Sequence, residues 1–321
     1  MSLQAQQVYK TKSAILFIIF NRHDTSLQVL QQIKLAQPAR VYITADGPRT
    51  NRSGEDIRCA EAREAVLAAI DWDCQVKTLF RNENIGPKEA IATAIDWFFE
   101  HEEEGIILEH DCLPANSFFM FCDTLLEKYR LDTRIWLISG CNLQEGKKWG
   151  NASYYFSNLT NGWGWATWKR SWKDYDKNLT RYNAEEVRPQ LAKIFDDELV
   201  IDTWQQIFND CKAGKIDTWD YQATFTHLFS HAINIIANTN LVSNIGFGEG
   251  AENTTNASHS FASVTLTEIT EVTHPKYILP EKEADMHTLT IEFNLAGKRS
   301  QLKKYNAPKR RFKRWARGLF K

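Results

Sequence analysis

"GIILEHDCLP" (105–114) runs from four apolar or small residues, Gly105 to Leu108, straight into three ionisable ones, Glu109, His110 and Asp111, before Pro114. A short unbroken apolar run of this kind predicts a strand buried on both faces. Charged side chains have no place inside such a strand, so they mark its end. What that end faces depends on what precedes it.

Upstream, "NENIGPKEAIATAIDWFF" (82–99) predicts a helix with Pro87 at its first position. Ile91, Ala94, Ile95, Phe98 and Phe99 repeat at helical spacing and give it one apolar face. Before it, "QVKTLF" (75–80) predicts a strand and Ala60–Ile70 a helix. "RVYITA" (40–45) predicts another strand, closed by the turn "DGPR" (46–49). A helix from an Asp24 N-cap to about Ala36 carries Leu27, Leu30 and Ile33, and "AILFIIF" (14–20) is the opening strand. Strand and helix alternate three times and return to strand, which predicts a parallel sheet with helices on its faces.

Sheets of this kind bind ligands beyond the carboxyl ends of their strands. Four such ends carry polar residues: Asn21–Arg22, Asp46–Gly47, Asn82–Asn84 and Glu109–Asp111. A carboxylate, one residue, then Asp can hold a hard divalent cation, Mg²⁺ or Mn²⁺, which keeps waters and shares phosphate oxygens. The same residues could equally be a solvated strand end with one acid capping the next helix.

Beyond Pro114 the pattern loosens. Residues 115–130, 195–211 and 218–232 predict helices, and "IWLISG" (135–140) and "INIIAN" (233–238) strands. "NGWGWATW" (161–168) packs three Trp and two Gly into eight residues. Residues 244–260 are rich in Gly, Asn, Ser and Thr and predict a loop. With no repeat and no Pro-rich linker, the expectation is one continuous domain and a tail.

Composition bounds the class. The chain has 321 residues, 43% hydrophobic and 25% charged, as in ordinary soluble globular proteins. Its six Cys include no CxxC pair, so they predict reduced thiols in a cytoplasmic protein. The apolar run 14–20 is too short to span a bilayer. The net charge of −1 hides an asymmetry: residues 293–321 hold 11 Lys or Arg and no acid, leaving the body at −12.

The succession "ILFIIFNR", "ADGPR", "NENIGPKEAI", "GIILEHD" resembles the nucleotide-sugar-binding half of GT-A fold glycosyltransferases. The closest likeness is to family 2 and N-acetylglucosaminyltransferase I-like enzymes, over roughly residues 13–260. The resemblance implies an α/β fold of GT-A type, with a Rossmann-like, mostly parallel sheet flanked by helices. It implies a domain over 1–292, with a nucleotide-sugar half at 13–114 and an acceptor half at 115–260, ahead of the tail 293–321. It further implies a nucleotide-diphospho-sugar donor, UDP-sugar favoured, a glycan or lipid-linked acceptor, and Mn²⁺ or Mg²⁺. Asn21, Arg22 and Asp46 then meet the donor, as do Asn84 and Gly86 before the third helix. Glu109 and Asp111 stand where the family's D-x-D motif holds the metal; Glu109 replaces the first Asp. His259 is the candidate third ligand.

The second half must supply a base that takes a hydroxyl proton as the anomeric carbon is attacked. In "KIDTWDYQATFTHLF" (215–229) the resemblance implies Asp220, with Asp217 the alternative. The same two residues also suit a helix start, Asp217 as N-cap and Asp220 in the first turn. Trp163, Gly164 and Trp165 are expected to form the donor and acceptor floor, or else to fill core. The rival reading, a sugar-phosphate nucleotidyltransferase, should carry a Gly-rich phosphate loop with a Lys after the first strand, and "AILFIIF" is followed by none. A non-catalytic nucleotide- or carbohydrate-binding protein is the other alternative.

In the tail, Phe312, Trp315, Leu319 and Phe320 fall on one side of a helix otherwise rich in Lys and Arg. That predicts a peripheral anchor on an anionic membrane. No nucleic-acid-binding fold accompanies the basic run, so nucleic acid is not expected as a partner.

Overall fold

The computed structural model describes residues 8–247, 261–262 and 264–306. The first half runs β1 (Ile15–Ile19), α1 (His23–Ala36), β2 (Arg40–Ala45), α2 (Glu55–Ala68), β3 (Gln75–Phe80), α3 (Pro87–Phe99), β4 (Glu104–Glu109), β5 (Cys112–Pro114) and α4 (Asn116–Lys128). Then come β6 (Ile135–Ser139), β7 (Tyr154–Ser157), β8 (Trp165–Trp168), α5 (Lys169–Trp172), α6 (Ala184–Leu191), α7 (Glu198–Lys212) and α8 (Asp220–Leu228). The chain continues through β9 (Ile233–Ala237), β10 (Val242–Asn244), α9 (Lys282–Glu292) and α10 (Leu295–Asn306).

Eight strands form one sheet in the order β3-β2-β1-β4-β8-β6-β9-β7. Only β8 and β7 run against the others, so the architecture is a Rossmann-like, mostly parallel α/β sheet flanked by helices. A separate pair joins β5 to β10.

The apolar composition of β1 follows from its position. Ile15, Phe17 and Ile19 face one core with Val29, Leu30 and Ile33 of α1 and Phe118, Cys122 and Leu125 of α4. Leu16 and Ile18 face the other, with Ile91, Ala94, Ile95 and Phe98 of α3. Both faces being covered, no position of the strand tolerates charge. A third core gathers Trp204 and Phe208 of α7, Phe225 of α8 and Leu289 of α9.

Several local expectations are corrected. Asp24 is not the N-cap of α1; Arg22 is, and Asp24 lies in the first turn, where it complements the dipole. Helix α2 starts at Glu55 rather than Ala60, because the Glu55 side chain is drawn inside by Arg49. Helix α8 is capped by Trp219, not Asp217, and is shorter than 218–232. The Trp-rich segment, unassigned from sequence, forms β8 and α5. Residues 293–306 at the start of the basic tail are built into the body: Phe293 and Leu295 are buried in the third core. Phe312, Trp315, Leu319 and Phe320 lie outside the described residues.

Helix α9 is fastened to β7 by Asp285, which is 3% exposed. It accepts from Ser157 Oγ at 2.5 Å and from Asn158 N and Nδ2 at 3.0 Å each. Asp285→Ala strands those donors and is expected to cost about 3 kcal/mol. Burial, outweighing these bonds, pushes the carboxyl pKa up to about 6. The folded state therefore holds this proton more tightly than the unfolded chain, whose value lies near 4. The resulting stability is full below pH ~4 and lost as pH rises through about 6. The parent's stability margin over Asp285→Asn should accordingly shrink between pH 4.5 and 7 in thermal melts; equal margins at both pH values contradict this.

Candidate active site

The chain runs outward from β1 to β3, then returns so that β4 lands on the other side of β1. This reversal is a topological switch point, where the loops leaving adjacent strands diverge and open a crevice. A cleft of about 210 Å³ occupies that place. The ends of all four strands reach it, and it gathers Asn21, Arg22, Asp46, Asn84, Glu109, Asp111 and Trp163 from 143 residues of sequence.

Each side chain is placed by local bonds. Asn21 Nδ2 donates to Glu55 Oε1 at 2.9 Å. Glu55 is 1% exposed and also receives the Arg49 backbone N and guanidinium. Burial alone would raise the Glu55 carboxyl, but those bonds overcome it and hold its pKa below the usual value. Arg22 Nη1 donates to the Gly246 carbonyl at 3.1 Å, tying the end of β1 to the stretch after β10.

Asp46 is a brace as well as a lining residue. Its carboxylate accepts from the backbone N of Gly47 (2.9 Å), Ile85 (3.1 Å) and Gly86 (3.2 Å). Burial nevertheless keeps its pKa raised, against the pull of those amides and Arg81. Asn84 Nδ2 donates to the Gly47 carbonyl at 2.9 Å, so the loops after β2 and β3 are laced together. Gly86 does not line the cleft. It caps α3 with φ +85°, and a Cβ there would come within 2.7 Å of Asp217 Oδ2. Its requirement is therefore steric, and it brings exposed Asp217 to the cleft's edge beside the N-terminus of α3.

Glu109 and Asp111 close the floor. The Glu109 side chain has no hydrogen bond or ion pair among the described residues. Burial first, then the charges of Asp111 and Asp220, push its pKa up to about 8. Asp111 is held through its backbone, which accepts from Ile245 N at 2.8 Å. Its carboxylate abuts Gly246, where a Cβ would overlap Oδ2 at 2.1 Å. Oxygen donors in this setting suit a hard cation. Among the described residues no group of three His, Cys, Asp or Glu is arranged to hold one, so Glu109 and Asp111 are the carboxylates those residues bring to it. His259 lies outside the described residues.

Asp220 heads α8, accepting from Thr218 Oγ1 and from Tyr221 N at 2.9 Å. Burial raises its pKa in spite of both bonds. It does not line the 210 Å³ cleft, but its charge acts on Glu109, which places it on that side of the molecule. Trp163 lines the cleft, its ring edge-on to Phe247 at 5.6 Å. Trp165 and Gly164 are corrected. Trp165 is 1% exposed and stacks on Trp219 at 5.1 Å, so it is core that positions the start of α8. Gly164 packs against Val242 and does not face the cleft.

Sequence reasoning missed Arg49 as a lining residue, as well as Thr44, Phe20 and Asn244. Arg49 was visible within the turn "DGPR", directly after a strand end; its guanidinium lies over Phe20 at 5.3 Å. Asn244 carries no local signal, because β10 reaches the cleft only by pairing with β5.

No family model matches the sequence, and no curated protein matches it. Solved structures share features of the fold at low similarity. UDP-glucose pyrophosphorylase complexed with UDP-glucose is 13% identical, covering 71% of this chain and 90% of that one, with a TM-score of 0.35. HddC from Yersinia pseudotuberculosis is 11% identical over 51% of this chain and 80% of that one, TM-score 0.31. The glycosyltransferase GlyE of Streptococcus pneumoniae TIGR4 is 12% identical over 68% and 44%, TM-score 0.31. Likeness at this level carries no argument about this chain.

Proposed function

We propose that this chain is a GT-A-type glycosyltransferase that moves a sugar from a nucleotide-diphospho-sugar to an acceptor hydroxyl with inversion. The observation that carries the reading is Glu109, whose carboxylate has no partner among the described residues, beside Asp111 in a cleft at the sheet's switch point that Arg22 and Arg49 also line. Both signs of charge in one crevice suit a diphosphate with its counter-cation. Glu109 and Asp111 would hold Mn²⁺ or Mg²⁺, with phosphate oxygens and water completing the shell. Such a cation stabilises negative charge on the departing diphosphate.

The remaining work belongs to the chain. Asn21, Arg22 and Arg49 orient the nucleotide, on the braced loops that Asp46 and Asn84 hold together. Trp163 offers a ring face to the sugar. Asp220 accepts the proton of the acceptor hydroxyl as its oxygen bonds to the anomeric carbon, while the bond from that carbon to the diphosphate breaks. A UDP-sugar is the favoured donor, and a glycan or lipid-linked glycan the acceptor. Membrane attachment through the basic tail is part of the same proposal. Among the described residues no helix is long and apolar enough to cross a membrane.

Thermal melts with UDP-, GDP-, CMP- and dTDP-sugars, with and without Mn²⁺, test the donor claim. A ligand that binds only the folded state at 100 times its Kd stabilises it by about 2.7 kcal/mol. A Mn²⁺-dependent shift with one nucleotide class is expected; no shift with any of them contradicts the proposal. Release of nucleoside diphosphate rather than pyrophosphate separates sugar transfer from nucleotidyl transfer.

A further inference from the structure

We propose that the segment Trp172–Lys177 is a strut that fixes the gap between the donor cleft and the head of α8, with Tyr175 the positioning residue that sets where Asp220 stands. The proposal rests on the transferase reading of Asp220 and adds to it the residues that hold the base in register with the donor.

The strut is tied to α3, the helix that brings Pro87, Ala90 and Ile91 to the cleft. Lys177 Nζ donates to Glu89 Oε2 in the first turn of α3 at 2.6 Å. Trp172 Nε1 donates to Asp96 Oδ1 at 2.7 Å. Glu89 and Asp96 lie about two helical turns apart, so the segment grips α3 along its length and not at one point.

The same segment is tied to α8. The Tyr175 ring stacks on Trp172 at 4.2 Å, and its hydroxyl donates to the Trp219 carbonyl at 3.0 Å. Trp219 is the N-cap of α8, and that carbonyl also accepts from Ala223 N at 3.1 Å, which opens the helix. Asp220 is the next residue. Further along α8, Thr226 Oγ1 accepts from Asp176 N at 3.0 Å.

Burial stiffens this line of contacts. Trp172 and Trp219 are buried, and both pack in one core with Ala223 and with Ile91 of the cleft wall. Close-packed rings do not shift singly, so the position of α3 at the cleft is passed to Trp219 and on to Asp220. Packing alone does not call for the Tyr175 hydroxyl, because Phe fills the same stack. What the hydroxyl adds is a hold on the backbone one residue before the carboxylate. A reacting group misplaced by about 1 Å can lose on the order of 100-fold in rate, so such a hold matters to the chemistry.

The full chain with Mn²⁺ is given UDP-glucose, UDP-galactose and UDP-N-acetylglucosamine, and release of UDP to water is followed. In that reaction the water oxygen bonds to the anomeric carbon, its proton passes to Asp220 and the bond from that carbon to UDP breaks. The parent is expected to turn over at least one donor. Tyr175→Phe should lower kcat at least about tenfold, with KM and the Mn²⁺-dependent thermal shift with UDP unchanged. In the Asp220→Asn background the same substitution should cost nothing further, because it acts through Asp220. A merely structural role would cost the same factor in both backgrounds. Equal kcat in parent and Tyr175→Phe, or equal losses in the two backgrounds, overturns the strut and leaves the transferase reading in place. Trp172→Phe, which keeps a ring but drops the bond to Asp96, carries the same comparison if Tyr175→Phe does not fold. A parent that releases no UDP from any donor removes the transferase reading and the strut with it.

Discussion

Asp220→Asn is expected to slow sugar transfer at least about 100-fold while leaving donor binding in place, the usual scale for loss of a general base. The substitution removes proton affinity and little else. Asn keeps an oxygen that can accept from Thr218 Oγ1 and Tyr221 N, the two bonds that orient the carboxylate. The head of α8 is held independently, by the stack of Trp219 on Trp165 and by the Tyr175 hydroxyl donating to the Trp219 carbonyl at 3.0 Å. The melting temperature should therefore change little. The decisive comparison is single-turnover transfer by Asp220→Asn and Asp217→Asn. Asp217 lies against Gly86, exposed and outside α8. If Asp217→Asn is inactive and Asp220→Asn turns over normally, the base is Asp217.

Asp111→Asn is expected to remove Mn²⁺-dependent UDP binding while the protein still folds. The residue is anchored through its backbone at the end of β4, and among the described residues its side chain makes only a long contact from Cys112 Sγ at 3.6 Å. An amide fits the same space against Gly246 but offers one oxygen instead of a charged pair. A cation held by Glu109 and Asp111 cannot lose one of them cheaply, since hard cations favour charged oxygen ligands. Thermal melts with UDP and Mn²⁺ check it: equal shifts in parent and variant show that Asp111 holds no metal. Glu109→Gln is the companion measurement, and a loss confined to that variant would leave Glu109 as the metal ligand.

Much of the fold was legible because it is local. Alternating apolar strands and amphipathic helices over residues 14–109 state their own period, and β2, β3 and α3 match the expected segments closely. The reversal from β3 to β4 is decided by long-range pairing, but any sheet of this kind binds ligands beyond its carboxyl strand ends, which is why the polar strand ends Asn21, Arg22, Asp46, Asn84, Glu109 and Asp111 could be named together before any contact was known. Their types carry chemical information that survives without coordinates: a carboxylate after an apolar strand is an anomaly wherever it is placed.

Other features depend on partners far away in the chain. Nothing in "WATW" says that β8 inserts antiparallel between β4 and β6, because a strand's neighbours are chosen by long-range pairing, not by its own period. For the same reason Trp165 could not be told from a sugar platform: the sequence shows a ring, and only its stack on Trp219 shows that the ring is buried. Asp46 could be singled out as a polar strand end, but its bonds to Ile85 and Gly86 span some forty residues, so its bracing role was invisible. Residue type and period are properties of a segment. The company a side chain keeps is decided by the tertiary fold, since burial and field are sums over neighbours that the segment does not contain.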